Sequence, residues 1–204
     1  MITQLIRPQP PANLLEPGGE FEPAPDVESW LRKTFTQKES PLYNKEHNHL
    51  KFASLGVLWT NAENFKQGRI IAGTAEMPFF RGDPWQKARQ QYQLEQWFGY
   101  EPDFLITLSA PIAAKAPDSH WLAVAEHELL HCGHARDHRG NLKWTKKGPK
   151  LALRGHDFEQ FYSIAERYGP DAAGIRPLVK ILYRAPLISS DQIRFACGSC
   201  NASL

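Results

Sequence analysis

Hydrophobic side chains recur at helical spacing in several segments of the chain, and most of these segments carry a start or stop signal. Asp83 followed by Pro84 is an N-cap with proline in the first helical position, and Gly99 is a stop signal. After Asp26, apolar residues also return every three or four positions. The predicted helices run from Asp26 to Phe35, from Asp83 to Phe98, from Asp118 or Ser119 to Gly133, and from Asp157 to Tyr168.

Apolar, β-prone stretches lie between these helices. Phe52 to Thr60 and Arg69 to Ala75 are separated by a polar turn segment, which predicts two strands paired with each other. Phe104 to Leu108 is typical of a buried strand, and the basic segment Gly140 to Leu153 suggests a hairpin or loop. Short strands at hairpin spacing among helices favour an α+β fold over a doubly wound parallel sheet.

The first 25 residues differ in composition from the rest of the chain. Six of the 16 prolines lie between Met1 and Pro25, where Gly18 and Gly19 also occur, and this composition resists both helix formation and strand pairing. We therefore predict a flexible arm over residues 1–25. A single domain is expected over residues 26–204, with a short CxxC tail at Cys197 and Cys200.

Charge and cysteine content exclude several classes of protein. The 24 Lys and Arg residues nearly balance 22 Asp and Glu, and no dense basic run marks a nucleic-acid or membrane surface. The start of the chain lacks the pattern of a secretory signal, and no stretch is apolar enough to span a bilayer. Three cysteines are too few for a disulfide scaffold. We expect a cytoplasmic protein without a membrane partner.

The composition also includes eight histidines, and five of them fall between His127 and His156. His127, Glu128 and His131 form an HExxH sequence on the third predicted helix. Positions i and i+4 lie about 40° apart on adjacent helical turns, so both imidazoles can reach one ion. Glu128 is rotated by about 100° from His127, which places its carboxylate beside the ion as a general base.

A catalytic zinc usually takes three protein ligands, so a third is needed. His134 is excluded because an unbroken helix separates it from His127 by about 10.5 Å along the axis. Asp137 stands at the position of the third metzincin ligand, and Glu159 or Glu166 would follow the gluzincin plan. His156 is the preferred candidate, because its preceding glycine permits close backbone approach and the next predicted helix fixes its position.

Two segments carry a resemblance to a known family. HELLHCGHA, residues 127–135, and GHDFEQF, residues 155–161, together resemble the phage metallopeptidase family and, more distantly, the SprT-like zincins. The resemblance implies a zincin-like domain, with a small antiparallel or mixed sheet packed on the HExxH helix and further helices. It also implies that His127, His131 and His156 bind Zn²⁺ and that Glu128 is the base. SprT-like proteases carry a four-cysteine zinc ribbon, which this chain lacks, so DNA-dependent proteolysis is not carried over.

The leading functional hypothesis is a zinc-dependent metallopeptidase of a phage or prophage, acting on a peptide or protein in the bacterial cytoplasm. Arg69 to Ala75 or Phe104 to Leu108 would form the edge on which the peptide aligns. The alternatives are a non-catalytic zinc-binding interaction or regulatory module of phage origin and a nucleic-acid-associated protease that uses the basic stretch from Lys143 to Arg154. The sequence does not determine the oligomeric state.

Several further residues have an ordinary structural interpretation beside a functional one. We expect Cys132 to pack as a small apolar residue and His47 and His49 to lie in a loop. His134 is a candidate for contact with substrate, and Asp157 for orienting the His156 ring or for favourable placement at a helix start. His120 and His138 are expected to be solvent-facing or hydrogen-bonded. Cys197 and Cys200 are expected to be inert, to be shared in a dimer or to form half of a zinc knuckle. The candidates for the oxyanion donor are Tyr162, Tyr168, Tyr183 and Arg184.

Overall fold

The computed structural model describes residues 6–66, 68–158, 162–172, 174–184 and 196–197. Its strands are β1 (Phe21–Pro23), β2 (Leu55–Thr60), β3 (Phe65–Lys66), β4 (Arg69–Glu76), β5 (Phe104–Ser109), β6 (Cys132–His134), β7 (Trp144–Thr145), β8 (Gly148–Pro149), β9 (Leu151–Leu153) and β10 (Ala196–Cys197). Its α-helices are α1 (Pro25–Leu31), α2 (Pro84–Phe98), α3 (Ala110–Lys115), α4 (Asp118–His131), α5 (Tyr162–Ala172) and α6 (Arg176–Leu182). Short 3₁₀ helices span Ala12–Leu14 and Lys45–Phe52, and a π-helical turn spans Arg32–Thr36.

The main sheet is mixed and has the strand order β1-β2-β5-β4-β10, with β3 paired to β4. β2 runs parallel to β5 and β4 runs antiparallel to it, with Leu55 opposite Phe104 and Gly73 opposite Leu108. The α+β class is thereby confirmed. The prediction that β2 and β4 pair with each other is wrong, because β5 lies between them. β2 is buried along its whole length and takes a neighbour on each side, which its own sequence does not identify.

Helices cover both faces of this sheet, as the alternation of side chains along a strand requires. Val57 of β2 and Ile106 of β5 point to the face covered by α1 and α4, where the larger core lies. Leu58 and Leu105 point the other way and pack with Leu94 of α2 in a smaller cluster. The HExxH helix therefore lies on the more extensively buried face of the sheet.

Part of the predicted arm packs against the rest of the chain. Leu14 is fully buried, and β1 pairs antiparallel with β2, with Phe21 opposite Thr60. The Arg7 guanidinium donates hydrogen bonds to the carbonyl oxygens of Ala113 and Ala116 at 3.0 and 2.8 Å. The division of the chain at residue 26 stays a prediction, and a strand and a buried leucine lie on its amino-terminal side.

The predicted helix boundaries are more accurate at α2 than elsewhere. Asp83 caps α2, and Gly99 ends it in the left-handed conformation at φ 74°. α1 begins at Pro25, one residue before the predicted cap, and Ala24 makes no side-chain capping bond. α5 begins at Tyr162 rather than at Asp157 in the described part of the chain, and it is interrupted at Gly169, directly after the predicted end at Tyr168, where φ is 79°.

The segment after α4 differs from the prediction that the helix continues to Gly133. α4 ends at His131, and Gly133 lies in β6 opposite Ala152 of β9. A Cβ on Gly133 would lie 2.8 Å from the Arg154 Cβ, so the glycine permits close strand packing instead. The predicted hairpin is confirmed as β7 and β8, which pair antiparallel.

The carboxy-terminal cysteine pair lies only partly within the described residues. The backbone of Cys197 pairs with β4 as part of β10, whereas Cys200 lies outside the described residues. The role of the cysteine pair stays a prediction. Among the described helices, none is both long and apolar enough to cross a lipid bilayer.

Candidate metal centre

α4 holds the HExxH sequence against the sheet. Trp121, Ala125 and Leu129 are buried and recur every four residues, so they form the apolar face of the helix. His127 and His131 both lie on α4, one helical turn apart. Because the core fixes the helix, it also fixes the spacing of the two rings.

The rings of His127, His131 and His156 lie close together. The Nε2 atom of His127 is 3.2 Å from Nε2 of His131 and 3.3 Å from Nε2 of His156, and the three ligand atoms all lie within 4.8 Å of one another. Nitrogens bound to a tetrahedral zinc at about 2.0–2.1 Å lie about 3.3–3.4 Å apart. The spacing therefore fits a zinc ion held by three imidazoles.

Hydrogen bonding and burial leave two of these rings in the form that binds metal. The Nδ1 atom of His131 donates to the carbonyl oxygen of Arg154 at 2.6 Å, which leaves a lone pair on Nε2. Burial, and then the neighbouring rings of His131 and His156, lower the pKa of His127 to about 4. Burial also lowers the pKa of His131. Both imidazoles are consequently neutral at pH 7 and can coordinate a metal.

Arg154 connects the third histidine to the HExxH helix. Its backbone N–H donates to the carbonyl oxygen of His131 at 2.9 Å, in return for the bond from the His131 ring. Its guanidinium bonds Glu46, and donates to the Asp157 carboxylate at 2.6 Å. These bonds hold the segment that carries His156, which lies in the loop after β9 rather than at the start of a helix.

Glu128 lies on α4 between the two helical histidines in sequence, and it is 1% exposed. Its side chain packs against Gly73 of β4, where an added Cβ would lie 2.9 Å from the Glu128 Cγ. A glycine at this position lets the carboxylate-bearing side chain lie against the strand. The chain thus places a buried carboxylate one residue from His127.

The other candidates for a third ligand do not join the cluster within the described residues. The Asp137 carboxylate accepts hydrogen bonds from the backbone of Arg139 and Asn141 in its own turn. His134 lies in β6 with its Nε2 2.6 Å from the Lys143 carbonyl oxygen. Glu166 is exposed on α5, and Glu159 lies outside the described residues.

Several expectations about neighbouring residues are resolved by the structure. Cys132 is buried, and burial raises the pKa of its thiol, in agreement with a packing role. His47 and His49 lie in the 3₁₀ helix rather than in a loop, and His47 is buried. Asp157 pairs with Arg154 and does not begin a helix. Tyr168 and Tyr183 are exposed, and the assignment of the oxyanion donor to Tyr162, Tyr168, Tyr183 or Arg184 stays a prediction.

Sequence reasoning missed the supporting roles of Arg154 and His49. The Nε2–H of His49 donates to the carbonyl oxygen of Cys132 at 2.7 Å, just after α4 ends. Burial lowers the pKa of His49. The only sequence signal for Arg154 is its place two residues before His156, and none indicates His49, because both roles depend on contacts between distant segments.

The fold and this cluster define an α+β protein with a candidate three-histidine metal centre. The chain belongs to the phage metallopeptidase family: the family model described as "Putative phage metallopeptidase" matches residues 21–185. This match confirms the resemblance noted in the sequence. No curated protein and no solved structure matches the chain. The family name indicates a metal-dependent peptidase.

Proposed function

We propose that the chain is a zinc-dependent peptidase, with His127, His131 and His156 as ligands and Glu128 as general base. The observation that carries the proposal is the convergence of the three imidazole rings, with Nε2 separations of 3.2 and 3.3 Å. Imidazole nitrogens are ordinary zinc ligands, and a set of three leaves a fourth position for water or substrate. The family name supports the peptidase activity.

The proposed chemistry divides between the ion and the chain. Zinc, when bound, lowers the pKa of a coordinated water and polarises a carbonyl group. The Glu128 carboxylate accepts a proton from water and passes it to the leaving amine of the peptide. Burial of Glu128 against Gly73 keeps this carboxylate in one position. Arg154 keeps the His131 ring in the required tautomer through the bond to Nδ1.

We further propose that the substrate peptide aligns along β4. β5 lies between β2 and β4, so the alternative that β5 forms the cleft edge is wrong. β4 carries Gly73, against which the side chain of Glu128 packs. Within the described part of the chain, no strand pairs with Thr74–Glu76 on the side away from β5. An extended peptide can add there by backbone hydrogen bonding.

A non-catalytic zinc module remains the second candidate. A purely structural zinc site normally closes its fourth position with a protein ligand and has no use for an adjacent base. Three histidines form the only such cluster found in the described residues, and a buried glutamate lies next to one of them in sequence. This arrangement favours the enzyme. The nucleic-acid-associated alternative rests only on the exposed lysines of the hairpin.

The test of the ligand set is the zinc content of the wild type and of His156→Ala, measured after dialysis against a defined free zinc concentration. We expect one zinc per wild-type chain. Loss of a direct ligand should weaken binding by more than about a hundredfold, beyond the effect typical of groups that only orient ligands. His138→Ala is the matched control, because His138 is exposed and lies outside the cluster.

Two results would count against the proposed site. Undiminished zinc in His156→Ala would reject the three-histidine set and would make Asp137, or a glutamate on a later segment, the candidate for the third ligand. Equal loss in His138→Ala would show that binding is not confined to the cluster.

A further inference from the structure

A pocket of about 400 Å³ is lined by residues that neighbour the proposed zinc ligands, although none of the three histidines lines it, and the proposed chemistry does not use it. Leu130 of α4, which lies between His127 and His131 in sequence, and Gly133 of β6 both line it. The side chain of Arg154 also lines it, while the backbone of Arg154 bonds His131. The volume is at the small end of the range for ligand sites, roughly 300–1,000 Å³.

The charged side chains around this pocket are mostly cationic. Lys45, Lys51, Arg136 and Arg154 line it, against the single carboxylate of Glu46. Glu46 is already paired with Arg154, whose guanidinium also bonds Asp157. Among the described residues no carboxylate pairs with the other three cations, and Arg136 donates only to the carbonyl oxygen of Gly140, at 2.8 Å. The pocket therefore has uncompensated positive charge.

We propose that this pocket is a specificity subsite for an acidic side chain, Asp or Glu, of the peptide substrate near the bond to be cleaved. That the ligand is a peptide substrate rests on the proposed peptidase function, whereas the preference for a carboxylate rests on the pocket itself. A carboxylate in a cleft lined by cations gains more than one at an open surface, because the low-dielectric walls focus the field. Lys51 and Arg136 are the residues that we expect to select it.

The distribution of charge favours an acidic peptide over a nucleic acid. A polyanion binds to an extended row of cations, each neutralising a phosphate. Lys146 and Lys147 of the basic hairpin do not line the pocket, whose cations surround one cavity. Such a site suits one or two acidic side chains that are held while the neighbouring backbone lies at the zinc.

The first experiment measures binding without cleavage, on zinc-loaded Glu128→Gln protein. The probe is the hexapeptide GGEEGG labelled with fluorescein at its amino terminus, and GGQQGG is the neutral reference; binding is followed by fluorescence anisotropy. We expect GGEEGG to bind about fivefold more tightly, which corresponds to the upper end of the range for one partly exposed charge pair. Equal affinity for the two peptides would overturn the proposal.

Charge-reversal variants locate the effect. Lys51→Glu with Arg136→Glu should remove the preference for GGEEGG, whereas Lys146→Glu with Lys147→Glu makes the same change in net charge outside the pocket and should keep it. The neutral pair Lys51→Gln with Arg136→Gln gives the same test if charge reversal prevents folding. Loss of the preference in the hairpin pair alone, or tighter binding of the oligonucleotide dT12 that the hairpin pair abolishes, would assign the anion site to nucleic acid and overturn the proposal.

The second experiment follows cleavage of a proteome-derived peptide library by the wild-type enzyme and the pocket variant. We expect Asp and Glu to be enriched at one fixed position from the cleaved bond, and the Lys51→Glu, Arg136→Glu enzyme to lose that enrichment. Absence of any cleavage together with selective binding of GGEEGG would refute the peptidase and leave the carboxylate site standing. Cleavage with no acidic preference would refute the subsite and leave the peptidase standing.

Discussion

α2 and α4 are similar in length but are stabilised in different ways. α2 has a complete capping box at Asp83 and a left-handed glycine at its end, yet Leu94 is its only buried residue. α4 has no side-chain N-cap and ends without a glycine turn, yet it buries both apolar and polar residues, Glu128 and His131 among them. Local signals thus support the peripheral helix, and tertiary packing supports the one with the candidate site.

The difference shows which helix of this fold can carry buried polar side chains. An isolated helix of this length is marginal in water, so α4 depends on the core into which Trp121 and Leu129 pack. The same packing that stabilises α4 removes Glu128 from water. α2, which exposes Trp85 and Tyr92, contributes little to the site and serves mainly to cover the second face of the sheet.

The largest effect on stability is expected for Leu129→Ala in α4, compared with Leu94→Ala in α2. Leu129 is fully buried in the larger core, whereas Leu94 lies in a small cluster at 6% exposure. We expect losses of about 4 kcal/mol for Leu129→Ala and about 2 kcal/mol for Leu94→Ala, within the range for leucine truncation. Urea unfolding of metal-free protein measures both. Equal losses would remove the distinction between the helices.

A second comparison uses glycines on opposite faces of the sheet. An added Cβ would lie 2.9 Å from the Glu128 Cγ at Gly73, and 2.8 Å from a ring carbon of Phe98 at Gly56. Both Gly73→Ala and Gly56→Ala should cost about 1–3 kcal/mol through overpacking. Only Gly73→Ala should displace the base, and it should lower kcat by about a hundredfold. Equal kcat values for the two variants would show that the Gly73 contact does not position Glu128.

The smallest effect is expected at the helix starts. Asp83 accepts hydrogen bonds from the N–H groups of Trp85 and Gln86, so Asp83→Ala should cost about 1 kcal/mol. Asp118 in the first turn of α4 makes no capping bond, and its exposed carboxylate pairs at 2.8 Å with Arg7, whose side chain is largely buried. Asp118→Ala removes this ion pair but no cap, and should cost less than about 1 kcal/mol. Thermal unfolding distinguishes the two variants, and a larger loss at Asp118 would contradict the assignment.

The same contrast explains which features the sequence predicts. α2 is bounded by Asp83 and Gly99, which act through their own backbone neighbourhood, and both ends are predicted correctly. The end of α4 is not, because pairing of β6 with β9 extends the chain before Gly133. The order of the strands cannot be predicted from local sequence either. β2 and β4 each have a strand pattern, but the position of β5 between them depends on the whole sheet.

The candidate site divides in the same way. The i, i+4 spacing of His127 and His131 on a helix is a local property, so the sequence predicts that these two rings can meet. His156 required a choice among distant residues, and its approach to His127 depends on the β6–β9 pairing and on Arg154. The supporting contacts of Arg154 and His49 join segments far apart in sequence, and no periodicity or motif marks them.

We propose that Glu128 acts as the base beside a zinc ion that three histidines hold. The most direct measurement compares turnover and zinc content of Glu128→Gln with those of Glu95→Gln, the same change at an exposed position of α2. We expect both variants to hold one zinc per chain, and cleavage of the peptide library to fall about 10²–10⁴-fold in Glu128→Gln alone. Full activity in zinc-loaded Glu128→Gln would contradict the account.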